Sequence, residues 1–290
     1  MANRRAIVKR RKSVRNIKKI TRTMQLIATA RFQAAMHRAV ASRPYTNKLA
    51  ELVGDLAGAA GSYRHPLLER PEVARSALLV LTSNRGLCGG YNANVLRAAM
   101  KHLDGRREHG VESDVYMVGK KGVSAFRFRD RPVHRTFTGF DDRPAYDEVE
   151  PLAQHLMGRF MSGEVASVHV AYMRFHSAGT QKPEVVRVLP LAADELAGDA
   201  TAEHSEYEIL PSAPAVLDQL LPASVRMRIF QAFLDAAVSE QIARMTAMKA
   251  ATDAAQEMIE DLTRQYNRAR QTAITLELLD IVGGANALES

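Results

Sequence analysis

The chain has 290 residues, 46% of them hydrophobic, which is enough for one large domain or for a medium domain with an elongated part. It holds no run of eighteen apolar residues, so the sequence predicts no membrane-spanning helix. A single cysteine, Cys88, excludes an internal disulfide and favours a reducing compartment, and the absence of Trp argues against stacking platforms for single-stranded nucleic acid.

The net charge of +8 is concentrated at one end of the chain. Residues 1–50 carry fourteen Lys and Arg and no Asp or Glu, whereas the remaining residues carry more acidic than basic side chains. Like charges one helical turn apart, such as Arg11 with Arg15 and Lys18 with Arg22, oppose helix formation in isolation. This pattern favours an acidic partner for the segment; a targeting peptide and a nucleic-acid arm are the alternatives.

The first segment predicts one long helix from Ala2 to about Leu56. No glycine precedes Gly54, and Pro44 is expected to bend the helix rather than end it, because the apolar pattern continues on both sides. Three glycines are expected to end the helix, and four apolar residues recur at helical spacing. The glycines are Gly54, Gly58 and Gly61, and the apolar residues are Ile17, Ile20, Met24 and Ile27.

The last segment predicts a second long helix, from about Ser224 to Val282. Its apolar and small residues follow steps of three and four, the period of a left-handed coiled coil. They are Met245, Met248, Thr252, Ala255, Ile259, Leu262, Tyr266, Ala269, Ala273 and Leu276. The two terminal helices are therefore expected to pair antiparallel across an inserted domain, each on the order of 80–90 Å long.

The sequence between the helices predicts an α/β domain. Four strands are expected at residues 77–82, 115–118, 165–172 and 184–189, and three helices at 92–102, 119–128 and 146–162. Alternating strands and helices favour a mostly parallel, Rossmann-like sheet, with a final hairpin that turns near Gly179. Residues 192–214 are expected to form a loop. The expected domains are 1–58, 75–212 and 213–290.

The segment from Ser83 to Asn92 joins the first strand to a helix, where a phosphate-binding loop would lie. Its glycines, Gly86, Gly89 and Gly90, do not have the spacing of a dinucleotide or phosphate-loop fingerprint, which argues against nucleotide binding. Cys88 beside Arg85 could be a nucleophile, but a packed structural thiol is the favoured interpretation. The scattered histidines lack metal-ligand spacing, so neither a metal nor a cofactor is expected.

Several motifs resemble the gamma subunit of rotary F-type ATP synthases. The C-terminal pattern from Ile274 to Ala287, with Glu277, Asp280 and Gly284, resembles the family's terminal signature. The stretches 20–31 and 244–255, and the run from Tyr266 to Thr275, are similar to other family segments. The loop Arg85-Gly-Leu-Cys-Gly-Gly90 also matches, although Asn84 stands where the family has aspartate.

The resemblance implies a non-catalytic rotor subunit rather than an enzyme. Its coiled coil would turn inside a head of three alpha and three beta subunits, and its globular part would join the epsilon subunit and the membrane ring of c subunits. This would couple proton flow to ATP synthesis at the cytoplasmic face of a bacterial inner membrane. No nucleic acid is expected among the partners. The residues implied to contact the head are Met24, Arg270, Gln271, Thr275 and Glu277.

Two other classes of protein remain as alternatives. A nucleic-acid protein with a basic helix and a coiled coil would carry its heptads next to the basic segment, whereas here they lie two hundred residues away. An α/β enzyme with helical extensions would need a catalytic set of residues, and none is found in the sequence.

Overall fold

The computed structural model describes residues 4–59, 65–69, 71–191 and 212–289, with side chains described as far as residue 56 in the first range and residue 284 in the last. Five helices and five strands follow in chain order. They are α1 (Arg4–Ala59), β1 (Arg75–Leu81), α2 (Tyr91–Glu108), β2 (Glu112–Val118), α3 (Lys120–Phe128), β3 (Arg135–Phe137), α4 (Tyr146–Met161), β4 (Val168–Ser177), β5 (Thr180–Leu189) and α5 (Ala213–Glu289).

The long helices extend further than the sequence predicts. Helix α1 continues through Pro44, as expected, but it also continues through Gly54 and Gly58, so the prediction that these glycines end it is wrong. Gly61 lies outside the described residues. Helix α5 begins at Ala213, before Pro222, because packing of the surrounding turns outweighs the hydrogen bond that this proline removes. None of the described helices is long and apolar enough to cross a membrane.

The strands form one sheet in the order β3-β2-β1-β4-β5. Strands β1 to β4 pair in parallel and β5 pairs antiparallel with β4, so the predicted α/β domain with a mostly parallel sheet and a final hairpin is confirmed. The sequence did not predict β3, which has only three residues and pairs with β2 at Tyr116–Val118. The expected loop at 192–214 falls outside the described residues except for its last three positions, of which Ala213 and Pro214 are helical.

The sheet has a buried core on each face. One face carries a cluster with α4 and the first half of α5, centred on large residues such as Leu79, Tyr116 and Phe160. The other face packs α2 and α3 against Leu78 and Met117. Both clusters lie within a globular unit, Ala30–Ala243, while Met1–Thr29 with Arg244–Ser290 form a separate coil unit. The three domains expected from the sequence stay a prediction, because the two units are defined by contacts between residues and have different bounds.

Two glycines allow α3 to begin very close to the end of β1. Gly119 has φ +91°, and a Cβ there would lie 2.2 Å from the carbonyl oxygen of Thr82. A Cβ on Gly122 would lie 2.5 Å from Thr82 Oγ1, which accepts the Gly122 N–H at 3.0 Å and donates to the carbonyl of Val118 at 2.6 Å. The Gly119-Lys-Lys-Gly122 segment therefore serves close packing.

Candidate functional site

The coil unit is held by a seam of residues with heptad spacing. On α1, Ile7, Val14, Thr21 and Ala28 are buried at intervals of seven residues. On α5 the buried residues are Met248, Thr252, Ala255 and Leu262, with Ile259, Tyr266 and Ala269 packed beside them. These seven positions belong to the predicted stripe, so the coiled-coil prediction for α5 is confirmed as far as Ala269.

Polar contacts show that the two helices of this unit are antiparallel. Thr21 and Thr252 hydroxyl oxygens are 2.8 Å apart, and Lys18 Nζ donates to Gln256 Oε1 at 2.5 Å. Towards the start of α1, the Arg11 guanidinium lies 5.0 Å from the centre of the Tyr266 ring. The residue numbers of the partners on α5 thus increase as those on α1 decrease, which is the pattern of an antiparallel pair.

The apolar stripe that the sequence singled out on α1 lies mostly outside this seam. Ile17, Ile20 and Ile27 are 51%, 58% and 49% exposed, and Met24 is half-buried. The seam instead uses Thr21 and Ala28, whose smaller side chains let the helices approach closely. The exposed isoleucines leave an apolar stripe on α1 available for another molecule.

The far end of α5 is also uncovered. Beyond Ala273 the described side chains are exposed, and Leu279, Ile281 and Val282 are each more than half accessible. The predicted contact residues Arg270, Gln271, Thr275 and Glu277 are likewise exposed. Thr275 Oγ1 donates to the Gln271 carbonyl at 3.0 Å, so an external contact to this hydroxyl would use its oxygen as an acceptor.

The loop from Ser83 to Asn92 lies within the globular unit and is tied together by its own side chains. Asn92 Oδ1 accepts the Ser83 N–H at 2.9 Å, and Asn92 Nδ2 lies 3.2 Å from the sulfur of Cys88. Cys88 is 2% exposed, which supports a packing role for this thiol. Arg85 and Gly89 are exposed, Gly90 precedes the first turn of α2, and Gly86 is half-buried.

Asn84 joins this loop to two neighbouring segments. Its Nδ2 donates to the Phe140 carbonyl at 2.6 Å, and its Oδ1 accepts the Lys120 N–H at 3.1 Å. A carboxylate could accept from Lys120 but could not donate to Phe140. The asparagine at this position therefore makes a contact that an aspartate would lose, which the sequence alone did not reveal.

Two histidines pack together between α2 and β4, of which His169 is buried and His102 is half-buried. The ring centres of His102 and His169 are 4.5 Å apart, and neither His102 Nε2 nor His169 Nδ1 has a hydrogen-bond partner among the described residues. Burial, reinforced by the charge of Arg106, lowers the pKa of His169 to about 3. Burial also lowers the pKa of His102, so both rings are neutral at pH 7 and act as core side chains. Among the described residues, no group of three or more His, Cys, Asp or Glu could hold a metal ion.

Comparisons with known proteins agree with this architecture. A sequence model of the family described as ATP synthase matches residues 3–288. The chain is 46% identical to the ATP synthase gamma chain of Rhodopirellula baltica over the full length of both, and 41% identical to that of Nocardia farcinica, covering 100% of this chain and 98% of the relative.

Solved structures show the same fold at lower identity. A chain of the Euglena gracilis mitochondrial ATP synthase, in a structure of its OSCP, F1 and c-ring, superposes with a TM-score of 0.68 at 18% identity, covering 98% of this chain and 94% of that one. A chain of the Tetrahymena thermophila central stalk and c-ring gives 0.61, also at 18%, covering 80% and 99%. With full-length identity above 40% to named relatives, the chain belongs to the ATP synthase gamma chain family.

Proposed function

We propose that this chain is the rotor of a proton-transporting ATP synthase, with its coil unit turning inside a ring of three alpha and three beta subunits. The observation that carries the proposal is the exposed apolar surface of the coil unit. Ile17, Ile20 and Ile27 on α1, with Leu279 and Ile281 on α5, leave a soluble helix pair with large apolar side chains in water. A surrounding protein cavity would remove that cost.

The two exposed surfaces differ in chemistry, and that difference is what a rotor needs. A single asymmetric object inside a threefold ring can bias three identical sites only if it contacts each of them differently. The α1 stripe is flanked by the exposed cations Arg15, Lys19 and Arg22, whereas the segment 278–282 of α5 has four large apolar side chains and one charge, Asp280. Each beta subunit would therefore meet the cations of α1 in only part of each turn.

Five residues are proposed to make contacts that depend on rotary position. Arg270, Gln271, Thr275 and Glu277 share the exposed end of α5, and Met24 is half-buried beside the α1 stripe. No described residue forms an ion pair with Arg270 or Glu277, so both charges are available to a partner. Their contacts would change the relative free energies of the rotary positions and hence the rate of turnover.

The remaining partners and the location follow from the family. The globular unit is proposed to join the epsilon subunit and the membrane ring of c subunits, and the complex to lie at the cytoplasmic face of a bacterial inner membrane. The bacterial relatives at 41–46% identity support this location. In this role the chain carries no catalytic residues, and ATP forms on the beta subunits.

The proposal is tested by purifying the chain, with an affinity tag, from the membranes of its own organism. We expect alpha, beta, epsilon and c subunits to co-purify and the complex to hydrolyse ATP. Purification without alpha and beta subunits would contradict the proposal.

A second experiment separates this role from nucleic-acid binding. Reversing the exposed charges Arg15, Lys19 and Arg22 to Glu is expected to reduce ATP-driven proton pumping, because these side chains would face acidic protein. The matched control is Arg97→Glu on α2, where exposed Arg97 donates a hydrogen bond to Asn94 at 3.1 Å. Normal assembly and pumping of the triple variant, together with a steep salt dependence of DNA binding by the unmodified chain, would favour nucleic acid instead.

A further inference from the structure

The end of α3 carries the most exposed large apolar side chain among the described residues. Phe128, the last residue of this helix, is 87% exposed, whereas Phe126, two positions earlier, is buried in the core beside α2. A single exposed apolar side chain is common on protein surfaces. Here, however, the ring stands on a turn that is held in one conformation, and cationic side chains lie on either side of it.

Hydrogen bonds fix the turn that follows α3. The Phe126 carbonyl accepts the N–H groups of Arg129 and Arg131, both at 3.0 Å. Asp130 has φ +50°, a left-handed conformation that is uncommon for residues other than glycine. Arg131 Nη2 donates to Asp104 Oδ1 at 2.8 Å, which ties the turn to α2. The exposed ring is therefore presented on a preorganised corner, so a partner that covered it would order little additional chain.

Cations without a carboxylate partner flank this corner. Arg127 precedes the ring, and Lys101 and Arg107 lie one helical turn on either side of the residue that ties α2 to the turn. All three are exposed, and no described carboxylate forms an ion pair with any of them. Arg129 is also exposed, and its Nη1 donates to the Ala125 carbonyl at 3.1 Å. The helix dipole favours cations in the last turns of α2 and α3, but it gives no reason for Lys101 or for the exposed ring.

The mixture of charges on this surface favours a protein as its occupant. Glu108 and Asp130 are exposed among the cations, and a uniformly anionic membrane or nucleic acid would be repelled by them. One ring also offers little apolar area for membrane insertion and no second aromatic for stacking nucleotides. A protein can instead place carboxylates opposite the cations and leave the two acids in water. Aromatic and arginine side chains are also the types that contribute most to protein interfaces.

We propose that this surface, the α3 corner, is a docking site for a protein segment that has an apolar pocket flanked by carboxylates. The α3 corner consists of Lys101, Arg107, Arg127, Phe128 and Arg129. The Phe128 ring fills the pocket, and the cations pair with the carboxylates. The partner is another subunit of the same complex, so the inference rests on the proposed rotor function and adds which part of the globular unit meets a partner.

The test uses a cysteine reporter in the assembled complex. Ser124→Cys places a thiol on the exposed face of α3, one turn before Phe128. The native Cys88 is buried, so only the new thiol should react quickly with a maleimide. Labelling rates are compared in the purified chain and in membrane vesicles that hold the complex. We expect labelling to be at least about tenfold slower in the complex, because the reagent must wait for the undocked state.

Two further substitutions in the reporter chain locate the contact. Phe128→Ala is expected to raise the labelling rate in the complex to nearly that of the purified chain, and the fold should be unaffected because the ring is exposed. Arg127→Gln is expected to raise the rate in part, and so is high salt, which screens the ion pairs. The matched control, Lys182→Ala on β5, removes an exposed cation at the opposite edge of the sheet from β3 and should leave the rate unchanged.

Several results would overturn the inference. Equal labelling rates in chain and complex would mean that nothing covers the α3 corner. Loss of protection after nuclease treatment would assign the occupant as nucleic acid, and loss after removal of lipid from the assembled complex would assign it as membrane. Unchanged protection in Phe128→Ala would show that the ring is not the anchor. Co-purification of alpha and beta subunits is checked first, so failure of docking is distinguishable from failure of the rotor proposal.

Discussion

The coil unit and the globular unit bury their side chains in different ways. In the globular unit, large residues such as Phe160 and Leu156 are enclosed on all sides by a helix layer and a sheet. In the coil unit, each helix buries about one residue per two turns, and several of these are small or polar, among them Thr21, Ala28 and Thr252. The globular unit is thus stabilised from within, whereas the coil unit keeps much of its apolar surface for other molecules.

The largest effect is expected from a cavity in the globular core. Phe160→Ala should lower the free energy of unfolding by about 3–5 kcal/mol, since Phe160 is 1% exposed within that core. Leu262→Ala in the coil seam should cost only about 2–3 kcal/mol, because solvent is closer and the helices can move together. Urea unfolding of the two variants measures the difference, and Phe128→Ala, at an 87% exposed residue, is the control. Equal losses of unfolding free energy in Phe160→Ala and Leu262→Ala would contradict the difference between the two units.

Acid is expected to destabilise the globular unit through His169. Its pKa is about 3 in the folded chain against 6.5 when unfolded, so the unfolded state binds the proton more readily. Its stabilising contribution is therefore complete above about pH 6.5 and is lost as the pH falls towards 3, by on the order of 3 kcal/mol at pH 4. His169→Gln should flatten the pH dependence of unfolding, whereas His109→Gln on the exposed end of α2 should not. An unchanged pH profile in His169→Gln would show that the buried ring is not responsible.

A smaller effect is expected at Asn84, in the loop that follows β1. Asn84→Asp should lose about 1–3 kcal/mol, because the hydrogen bond to the Phe140 carbonyl at 2.6 Å has no donor in the variant. Thermal melting measures this cost. Asn94→Asp on α2, where a carboxylate can still accept from Arg97, provides the control. An Asn84→Asp variant as stable as the original chain would mean that the Asn84 contact contributes nothing.

The coil seam can be tested with a double-mutant cycle at its hydroxyl pair. Thr252→Val alone should cost about 1 kcal/mol, since it removes the 2.8 Å hydrogen bond to the buried Thr21 hydroxyl, which keeps only its bond to the Lys18 carbonyl at 3.1 Å. Adding Thr21→Val should restore part of that loss, because neither hydroxyl then remains buried. Strict additivity of the two substitutions would show that the pair is not coupled.

The smallest effect on stability, with the clearest effect on function, is expected at the end of α5. Arg270→Ala with Gln271→Leu should change the free energy of unfolding by less than about 0.5 kcal/mol, because both side chains are exposed. ATP synthesis by the assembled complex should nevertheless slow several-fold, while the exposed pair Arg264→Ala and Gln265→Leu serves as a control. Full turnover in the assembled double variant would show that Arg270 and Gln271 do not take part in coupling.

Sequence periodicity predicted the seam of α5 but not that of α1. On α5 a single stripe of spacing three and four is present, so only one face can be buried. On α1 two stripes compete: the larger Ile17, Ile20 and Ile27, and the heptad that includes Val14 and Thr21. Hydrophobicity favours the first, but close helix approach selects the second, and that choice depends on the partner helix.

The alternating strand and helix patterns in the sequence predicted the sheet, but they did not predict β3. Three residues, Arg135–Phe137, carry too little pattern to be recognised, and their pairing with β2 is decided by the fold. The contacts of Asn84 with Phe140 and Lys120 similarly join segments that are distant in the sequence. The sequence indicates which residues are polar, but not which of them meet in the fold.

The edges of the sheet bear on how copies of the chain behave at high concentration. An unpaired strand edge can recruit a strand from another molecule, and long straight edges do so most readily. Here one edge is the three-residue β3, and the other, β5, carries Lys182 and Pro183 and has register irregularities against β4. A proline offers no N–H to an incoming strand, and lysine repels a second copy of itself. Sheet growth from molecule to molecule is thus discouraged at both ends, so these edges are poor templates for aggregation of the folded chain.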